Sequence, residues 1–512
     1  MAVIIWQRFE ESGNIKDLDC TIALERLMLD FCPCEDPNRW KAMHDLAIAR
    51  ALRFKLWGNM PDLDRAIALW QDVLKLCRGD DPLRFSFLHS FIHSLSLRFE
   101  RCGRDEDLDD LVSLGRSALE ALDLLPDEHA GRAKALNGLA CSLKTRFDRG
   151  GRADDLEESI GLHRAALTLL PDRHLDRSEM VCGLADSLKT RFEHGGNKED
   201  LDESITLHHM ALSLPTDENT DRSRILNDLA NSLKTRFERG GSAGDLDESI
   251  TLHRDALSLR PEGHPNRSTP LNNLAASLFA RFERGRDTGD LYEAISLFRD
   301  ALTLFSESHP SRPSALNNLA SALSSRYKLH GDKGDLNDCI ELRHAALALQ
   351  PVGHPDRFLS LSSLGLSLVD RFKEGGKPED LDEAIALLRA SVALCPEGHP
   401  NRFGPLTSLA NSLLTRFDQS GNSDDLNESI DLNRRAVDLC PQDDPFRDGA
   451  MVDLANSLET RFNHSGNSED LNESVALYRS AVALEVRHYP YRLAAMNNLA
   501  SALISRFEIG GN

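Results

Sequence analysis

The chain is 512 residues long, 41% hydrophobic and 28% charged, a balance that can bury a core and that excludes both a disordered tail and a membrane-embedded protein. A formal net charge of −22 disfavours nucleic acid and anionic membrane as partners, since both are held by clustered Lys and Arg. The ten cysteines include no CxxC pair and no Cys/His ligand spacing, so neither a disulfide framework nor a metal site is expected, and no cofactor is implied.

The opening MAVIIWQRFE has too short an apolar stretch for a signal peptide, and no later segment approaches a membrane span, which predicts a cytoplasmic protein. Its RF pair is the first of a series. An Arg-aromatic pair ends at Phe9, Phe54, Phe99, Phe147, Phe192, Phe237, Phe282, Tyr327, Phe372, Phe417, Phe462 and Phe507, so ten of the eleven intervals are 45 residues. Such a period marks a repeat architecture. The units within about residues 1–99 are degenerate: Arg50 stands in a Leu column, and LAIARAL replaces LANSLKT, as in a terminal cap. Cys32, Cys77, Cys395 and Cys440 fall at one point of four units, near a helix end, where a thiol acts as a small hydrophobe. Only the close pair Cys32 and Cys34 hints at redox or metal chemistry. The interval from Phe99 to Phe147 is 48 residues, and its surplus, in SALEALDLLP, predicts one extra helical turn and a local step.

The regular units, about residues 100–512, are represented by residues 237–282. Gly241, four residues after the aromatic, predicts a left-handed helix end; only the unit after Phe282 departs, with Gly285 one place early. Asp245 recurs in all eleven units, from Asp17 through Asp470, usually with an acid three residues on, and reads as an N-cap with a capping-box partner. Leu246, Ile250, Leu252, Ala256, Leu257 and Leu259 give the second helix, helix B, a wide apolar arc. Pro261 and Pro265 break it. Arg267 follows, and its column is Arg in all eleven units, from Arg39 through Arg492. Leu271, Leu274, Ala275, Leu278 and Phe282 then mark one face of the next helix, helix A. A pair of antiparallel helices cannot bury its faces alone, so the units must stack. The expected fold is all-α, an α-solenoid of tandem antiparallel helix pairs with no sheet.

The patterns L-x-N-L-A-x-x-L in helix A and A-I-x-L-x-x-x-A-L-x-L-x-P in helix B, as in LNNLASALISRF and LDEAIALLRASVALCP, resemble the tetratricopeptide repeat. The 45-residue length, GHPNR and LNNLA look more like the long repeats of kinesin light chains, and like arrays preceding CHAT-type caspase-like domains in fungal proteins. The resemblance implies a right-handed superhelix over residues 1–512, a single solenoid of eleven units without a catalytic domain. It also implies a concave groove lined by the A helices.

On a helical wheel the residue two after the first core Leu of helix A points away from the core. That column reads Asp45, Ser90, Gly138, Gly183, Asp228, Asn273, Asn318, Ser363, Ser408, Asp453 and Asn498, and a neighbouring column adds Asp186, Asn231, Asn411 and Asn456. An Asn ladder can pair with the backbone of an extended peptide, because each amide both donates and accepts. The candidate groove is therefore Asp228, Asn231, Asn273, Asn318, Asn411, Asp453, Asn456 and Asn498, and its acids favour partners with basic residues. The same small polar residues could instead merely solvate the face and permit close A-to-A packing.

The two Arg columns hold 23 of the 60 basic residues and read as lattice, by carbonyl capping or by an ion pair with a helix B acid. Linker histidines His129, His174, His264, His309, His354 and His399 come one per layer, too far apart for a metal cluster. They read as turn residues, with a cumulative pH response as the alternative. HExxH, GxSxG and GxxxxGK[ST] are absent and the carboxylates are periodic, so no enzyme is expected. Residue 1 falls inside a helix A, and residues 507–512 close another with no helix B following, which predicts a longer product or end-to-end self-association. Two functions follow: a scaffold holding partner peptides, or the regulatory arm of a larger caspase-like peptidase.

Overall fold

The computed structural model describes residues 15–510, apart from 34, 35, 37, 38, 79, 80, 82, 124–128, 216–220, 265, 308, 310, 355, 356, 396–401, 441–446 and 484–488. The readings placed at Phe9 and the opening helix A, at Cys34, at Pro265 and at His399 lie outside these residues, as do those at the side chains of His129 and Arg492. Among the described residues there are 22 helices and no strand. None of these helices is long and apolar enough to cross a membrane.

In chain order the helices are α1 (Ile15–Phe31), α2 (Arg39–Trp57), α3 (Met60–Leu76), α4 (Arg84–Cys102), α5 (Asp105–Asp123), α6 (His129–Gly150), α7 (Ala153–Leu169), α8 (Arg177–Gly195), α9 (Lys198–Ser213), α10 (Arg222–Glu238) and α11 (Ala243–Ser258). They continue with α12 (Ser268–Gly285), α13 (Thr288–Leu304), α14 (Arg312–His330), α15 (Lys333–Ala348), α16 (Arg357–Lys373), α17 (Pro378–Leu394), α18 (Phe403–Ser420), α19 (Ser423–Leu439), α20 (Arg447–Ser465), α21 (Ser468–Ala483) and α22 (Tyr489–Gly510). Even-numbered helices are the A helices and odd-numbered ones the B helices.

The chain forms two compact units, residues 1–232 and 233–512. The first is built around Phe54, Leu63, Trp70, Phe91 and Leu95, with the apolar faces of α2 to α5 meeting there. The second has Leu274, Leu278, Phe282, Leu291 and Phe298 at the meeting of α12 and α13. Within each unit successive helices pack on one another, as α6 does on α7 and α16 on α17, the α-solenoid arrangement. Alanines make the approach close: Ala256, Ala275 and Ala320 are fully buried where a longer side chain would force the helices apart. Successive A helices also touch directly, as α6 does α8 and α18 does α20, whereas B helices reach one another mainly through long ion pairs such as Arg254 to Glu293. The stack is therefore tighter on the A side, which makes that face the inner one in each unit.

Two details of the helix ends differ from the sequence reading. Asp245 is not the N-cap but the third residue of helix B. Ser242 is the cap, accepting from the Asp245 N–H at 3.3 Å while Asp245 Oδ2 accepts from the Ser242 N–H at 3.1 Å. Asn197, Asp287, Asp332 and Asn422 cap other B helices. Gly196 (φ 72°) ends helix A in the left-handed region as predicted, and Arg286 (φ 57°) takes that conformation where the glycine is missing. At Gly241 the left-handed residue is instead Gly240 (φ 96°). Gly241 is required for space, since a Cβ there would stand 2.4 Å from Asp245 Oδ2.

The aspartate is displaced from the cap because it serves an arginine. Arg281 holds Asp290 through Nε and Nη2, both at 2.8 Å, and its Nη1 reaches Asp247 on the preceding helix B at 3.0 Å. The same paired bond to the Asp nine residues on occurs in ten consecutive repeats, from Arg53 and Asp62 to Arg461 and Asp470. Arg146 and Arg371 hold the carboxyls of Asp155 and Asp380 below the usual carboxylate range. The linker arginines take the other role: Arg312 Nη1 donates to the carbonyls of Leu302 (3.1 Å) and Phe305 (2.8 Å), closing the C-terminus of helix B. Arg39, Arg177, Arg267, Arg357 and Arg447 repeat it. Each Arg column thus has one of the two lattice roles expected. Arg132, after the inserted turn, instead pairs with Asp123. Linker histidines His174, His264 and His309 accept from the backbone N–H two residues on, as turn residues do. Cys395 and Cys440 are buried as read, whereas Cys32 and Cys77 are half-buried.

Asp290 is buried and Arg281 is 37% exposed, so Asp290→Ala strands a partly solvated guanidinium. A loss of about 1–3 kcal/mol is expected after allowing for that exposure, with amide exchange rising first in α12 and α13. Urea unfolding with site-resolved hydrogen exchange checks this; a change spread evenly along the second unit would contradict it.

Candidate functional site

The floor of the A face is set by helix B. Eight residues after the recurring Asp, each B helix from α3 onward carries one side chain that enters between its own A helix and the next: Trp70, His163, His208, His253, Phe298, Arg343, Leu388, Asn433 and Tyr478, with Gly115 in the unit of the insertion. All except Gly115 are large or polar, and Trp70, His163, His208, His253, Phe298, Asn433 and Tyr478 are at most 1% exposed. The sequence reading found the two groove columns on the A helices but missed this third one. Its signal was available, because residue type varies freely here while the surrounding columns hold theirs.

The three columns meet as a triplet, the second member 22 residues after the first and the third 20 after that. In the last triplet the Tyr478 hydroxyl lies 2.6 Å from Asn456 Oδ1, and Asn498 Nδ2 donates to the same oxygen at 2.9 Å. Glu459 Oε2 also lies 3.0 Å from that hydroxyl. One step earlier, Asn411 Nδ2 donates to Asp453 Oδ2 at 3.2 Å across repeats, while Asn433 donates to Ser457 at 3.1 Å. At Arg343 the guanidinium reaches Ser321 Oγ at 3.4 Å and donates to the Ser363 carbonyl and to Ser367 Oγ. At His163 the third member is Gly183, whose missing Cβ makes room for the ring, since a Cβ there would stand 2.5 Å from Cε1.

In residues 1–232 the triplet is Asp186, His208 and Asp228. His208 Nε2 lies 3.4 Å from Asp186 Oδ1, and Arg224 Nη1 lies 3.1 Å from Asp228 Oδ2 and 3.8 Å from Asp186 Oδ2. Burial and the Asp186 charge push the Asp228 carboxyl up to about 6. Asp186 stays below the usual range: burial works against it, but His208 and Arg224 outweigh that cost. Burial, with a smaller contribution from Lys144 and against the Asp186 charge, brings His163 down to about 4; burial with a contribution from Lys234 brings His253 down to about 3.

The predicted groove residues do not simply face solvent. Asn411 is exposed, but Asp228, Asn231, Asn273, Asn318, Asp453, Asn456 and Asn498 are half-buried, because the helix B side chain and the next A helix close in on them. Asn273 Oδ1 accepts from the buried Asn272 at 3.3 Å. The structure brings Asn411 to Asp453 and Asn456 to Asn498. Asn231 lies one turn beyond Asp228 on α10, and Asn318 lies alone of the set on α14.

This helix-pair geometry has a family counterpart: the tetratricopeptide repeat matches residues 314–356, which span α14 and α15. Residues 314–356 are a tetratricopeptide repeat. The units around this repeat share its helix order and its Arg–Asp pairing. No curated protein sequence matches the chain significantly. Among solved structures, the human IFIT1 dimer with m7Gppp-AAAA is similar at 12% identity over 97% of this chain and 94% of its own, with a TM-score of 0.52. The nearly identical repeats of a putative kinesin light chain from Podosopora anserina are 21% identical over 43% of this chain and 98% of their own, TM-score 0.32. The tetratricopeptide protein TTC0263 of Thermus thermophilus is 19% identical over 46% of this chain and 99% of its own, TM-score 0.33. These likenesses concern the fold.

Burial pushes the Asp453 carboxyl up to about 6, with the Asn411 hydrogen bond opposing. Its folded value then lies above the unfolded one of about 3.9, so ionisation opposes folding. The cost is absent below about pH 4, grows between about pH 4 and 6, and is complete above that. Asp453→Asn is therefore expected to protect α18 and α20 against urea at pH 7.5 and to have no effect at pH 4; equal protection at both would place the effect elsewhere.

Proposed function

We propose that the tetratricopeptide array is a cytoplasmic binding scaffold, not a catalyst, and that the A face holds an extended polypeptide segment. The observation that carries this reading is the set of half-buried small polar side chains on the A helices α12, α14, α20 and α22, namely Asn273, Asn318, Asp453, Asn456 and Asn498. Some amide capacity is spent between repeats, as at Asn456 and Asn498, which holds the side chains in place for a ligand. Asp186, Asp228 and Asp453 add negative charge, which favours a partner carrying Lys or Arg.

The IFIT1 likeness removes fold as a ground for excluding nucleic acid, since that protein was solved with m7Gppp-AAAA. The preference for a polypeptide rests on charge: the arginines of both repeating columns are committed to Asp carboxylates and helix carbonyls, leaving the face acidic. The other reading, a regulatory arm of a CHAT-type peptidase, rests on sequence resemblance, and the same groove would do the sensing.

A library of unstructured peptides in matched Lys/Arg-rich and Asp/Glu-rich sets, with oligoadenylate in parallel, tests the proposal. Basic peptides should bind best, and Asn273→Ala with Asn318→Ala and Asn498→Ala should weaken them by about tenfold or more, each lost hydrogen bond being worth about 0.5–1.5 kcal/mol. Unchanged binding by the triple variant, or tighter binding of oligoadenylate, would overturn it.

A further inference from the structure

The triplet of Asp186, His208 and Asp228 differs from the others in its chemistry. One residue comes from each of three successive packed helices, α8, α9 and α10, and their ligand-type atoms all lie within 4.8 Å of one another. Two carboxylates and an imidazole are the donor set that holds zinc and related ions, the imidazole selecting against calcium and magnesium.

A second, independent observation points the same way. The His208 ring is fully buried, and neither of its nitrogens makes a hydrogen bond; the 3.4 Å approach of Nε2 to Asp186 is misaligned for one. A buried imidazole whose nearest carboxylate is misaligned for a hydrogen bond is costly, and a metal ion at Nε2 would satisfy that nitrogen. A cation already occupies this place in another form. The Arg224 guanidinium bridges both carboxylates from the solvent side, and its side chain is 43% exposed and therefore displaceable. Beside it opens a cavity of about 460 Å³ lined by Glu179, Asp186, Asp221 and Arg224, among others, with space for the displaced guanidinium and for water. Its other charged wall residue, Asp176, is also acidic.

We propose that Asp186, His208 and Asp228 bind one divalent first-row transition ion of the zinc type, with the fourth coordination position open to this cavity. Donors around zinc at about 2.0–2.2 Å stand about 3.3 Å apart. The present spread closes to that by rotation of the two half-buried carboxylates while His208 stays fixed in the core.

The test uses the full 512-residue chain, free of any affinity tag and stripped with chelator. Zn²⁺ is titrated by calorimetry and Co²⁺ by visible absorption. One saturable site is expected, without the thiolate charge-transfer band that cysteine ligation gives. The near-isosteric pair Asp186→Asn and Asp228→Asn should weaken it by at least about tenfold. Arg224→Ala, at an exposed side chain outside the core, should tighten binding because the competing guanidinium is gone. No saturable binding, affinity unchanged in the Asn pair, or a thiolate band would each overturn the proposal. Should the Asn pair fail to fold by circular dichroism, Arg224→Ala decides alone: unchanged or weaker affinity sinks the site.

Discussion

The fold depends on one recurring contact, the paired bond between the arginine near the end of helix A and the aspartate at the third position of helix B. An ion pair with a buried carboxylate is poor evidence of stability, because desolvation consumes most of its Coulombic gain. Its value here is geometric. The planar guanidinium fixes direction as well as distance, so it sets the angle at which B leaves A. With Asp290 held in this way and Arg281 reaching back to Asp247, one side chain ties three helices. The fully buried alanines then meet without gaps, which cavities as small as a methyl group would penalise.

This lattice also explains the electrostatics of the surface. The two Arg columns take 23 of the 60 basic residues, and most of these arginines whose side chains are described face an acid or a carbonyl of the array, as Arg281 and Arg312 do. Across the chain 82 acidic residues outnumber the 60 Lys and Arg, giving the net charge of −22. A chain that spends its arginines on register has few left to build a phosphate-binding track.

The sequence made the periodic part legible. The 45-residue spacing, the helix pairs, the linker arginines and the two A-helix polar columns all follow from repeated residue types at helical intervals. The errors arose where two roles compete for one residue. Asp245 looks like a cap because Asp commonly caps, yet its carboxylate is turned to Arg236 and the cap falls to Ser242. Gly241 looks like a left-handed residue, yet with Gly240 beside it the conformation shifts one place. The groove column reads as pointing to solvent on an isolated wheel, but neighbouring helices bury half of it. The third column escaped because a helix B histidine on a largely apolar arc reads as core, and only the stacking of α8, α9 and α10 brings His208 to two aspartates.

Periodicity and function pull apart in such an array. Columns that repeat one residue build the stack, whereas the triplet columns change, within a largely small polar set on the A helices and freely on helix B, and their chemistry arises from the combination. The same histidine gives different results in adjacent layers. Beside Gly183, His163 is a packing group in the space a Cβ would fill, and burial keeps it neutral. Between Asp186 and Asp228, His208 faces two carboxylates in which Asp228 is pushed up to about 6 by burial and by its neighbour. With tyrosine as the floor residue, as at Tyr478, its hydroxyl and the Asn498 amide both donate to the Asn456 carbonyl oxygen. Each step of the face is thus specified by three residues on three helices. A single-column reading recovers its polarity but not its chemistry, which resides in the triplet that joins one repeat to the next.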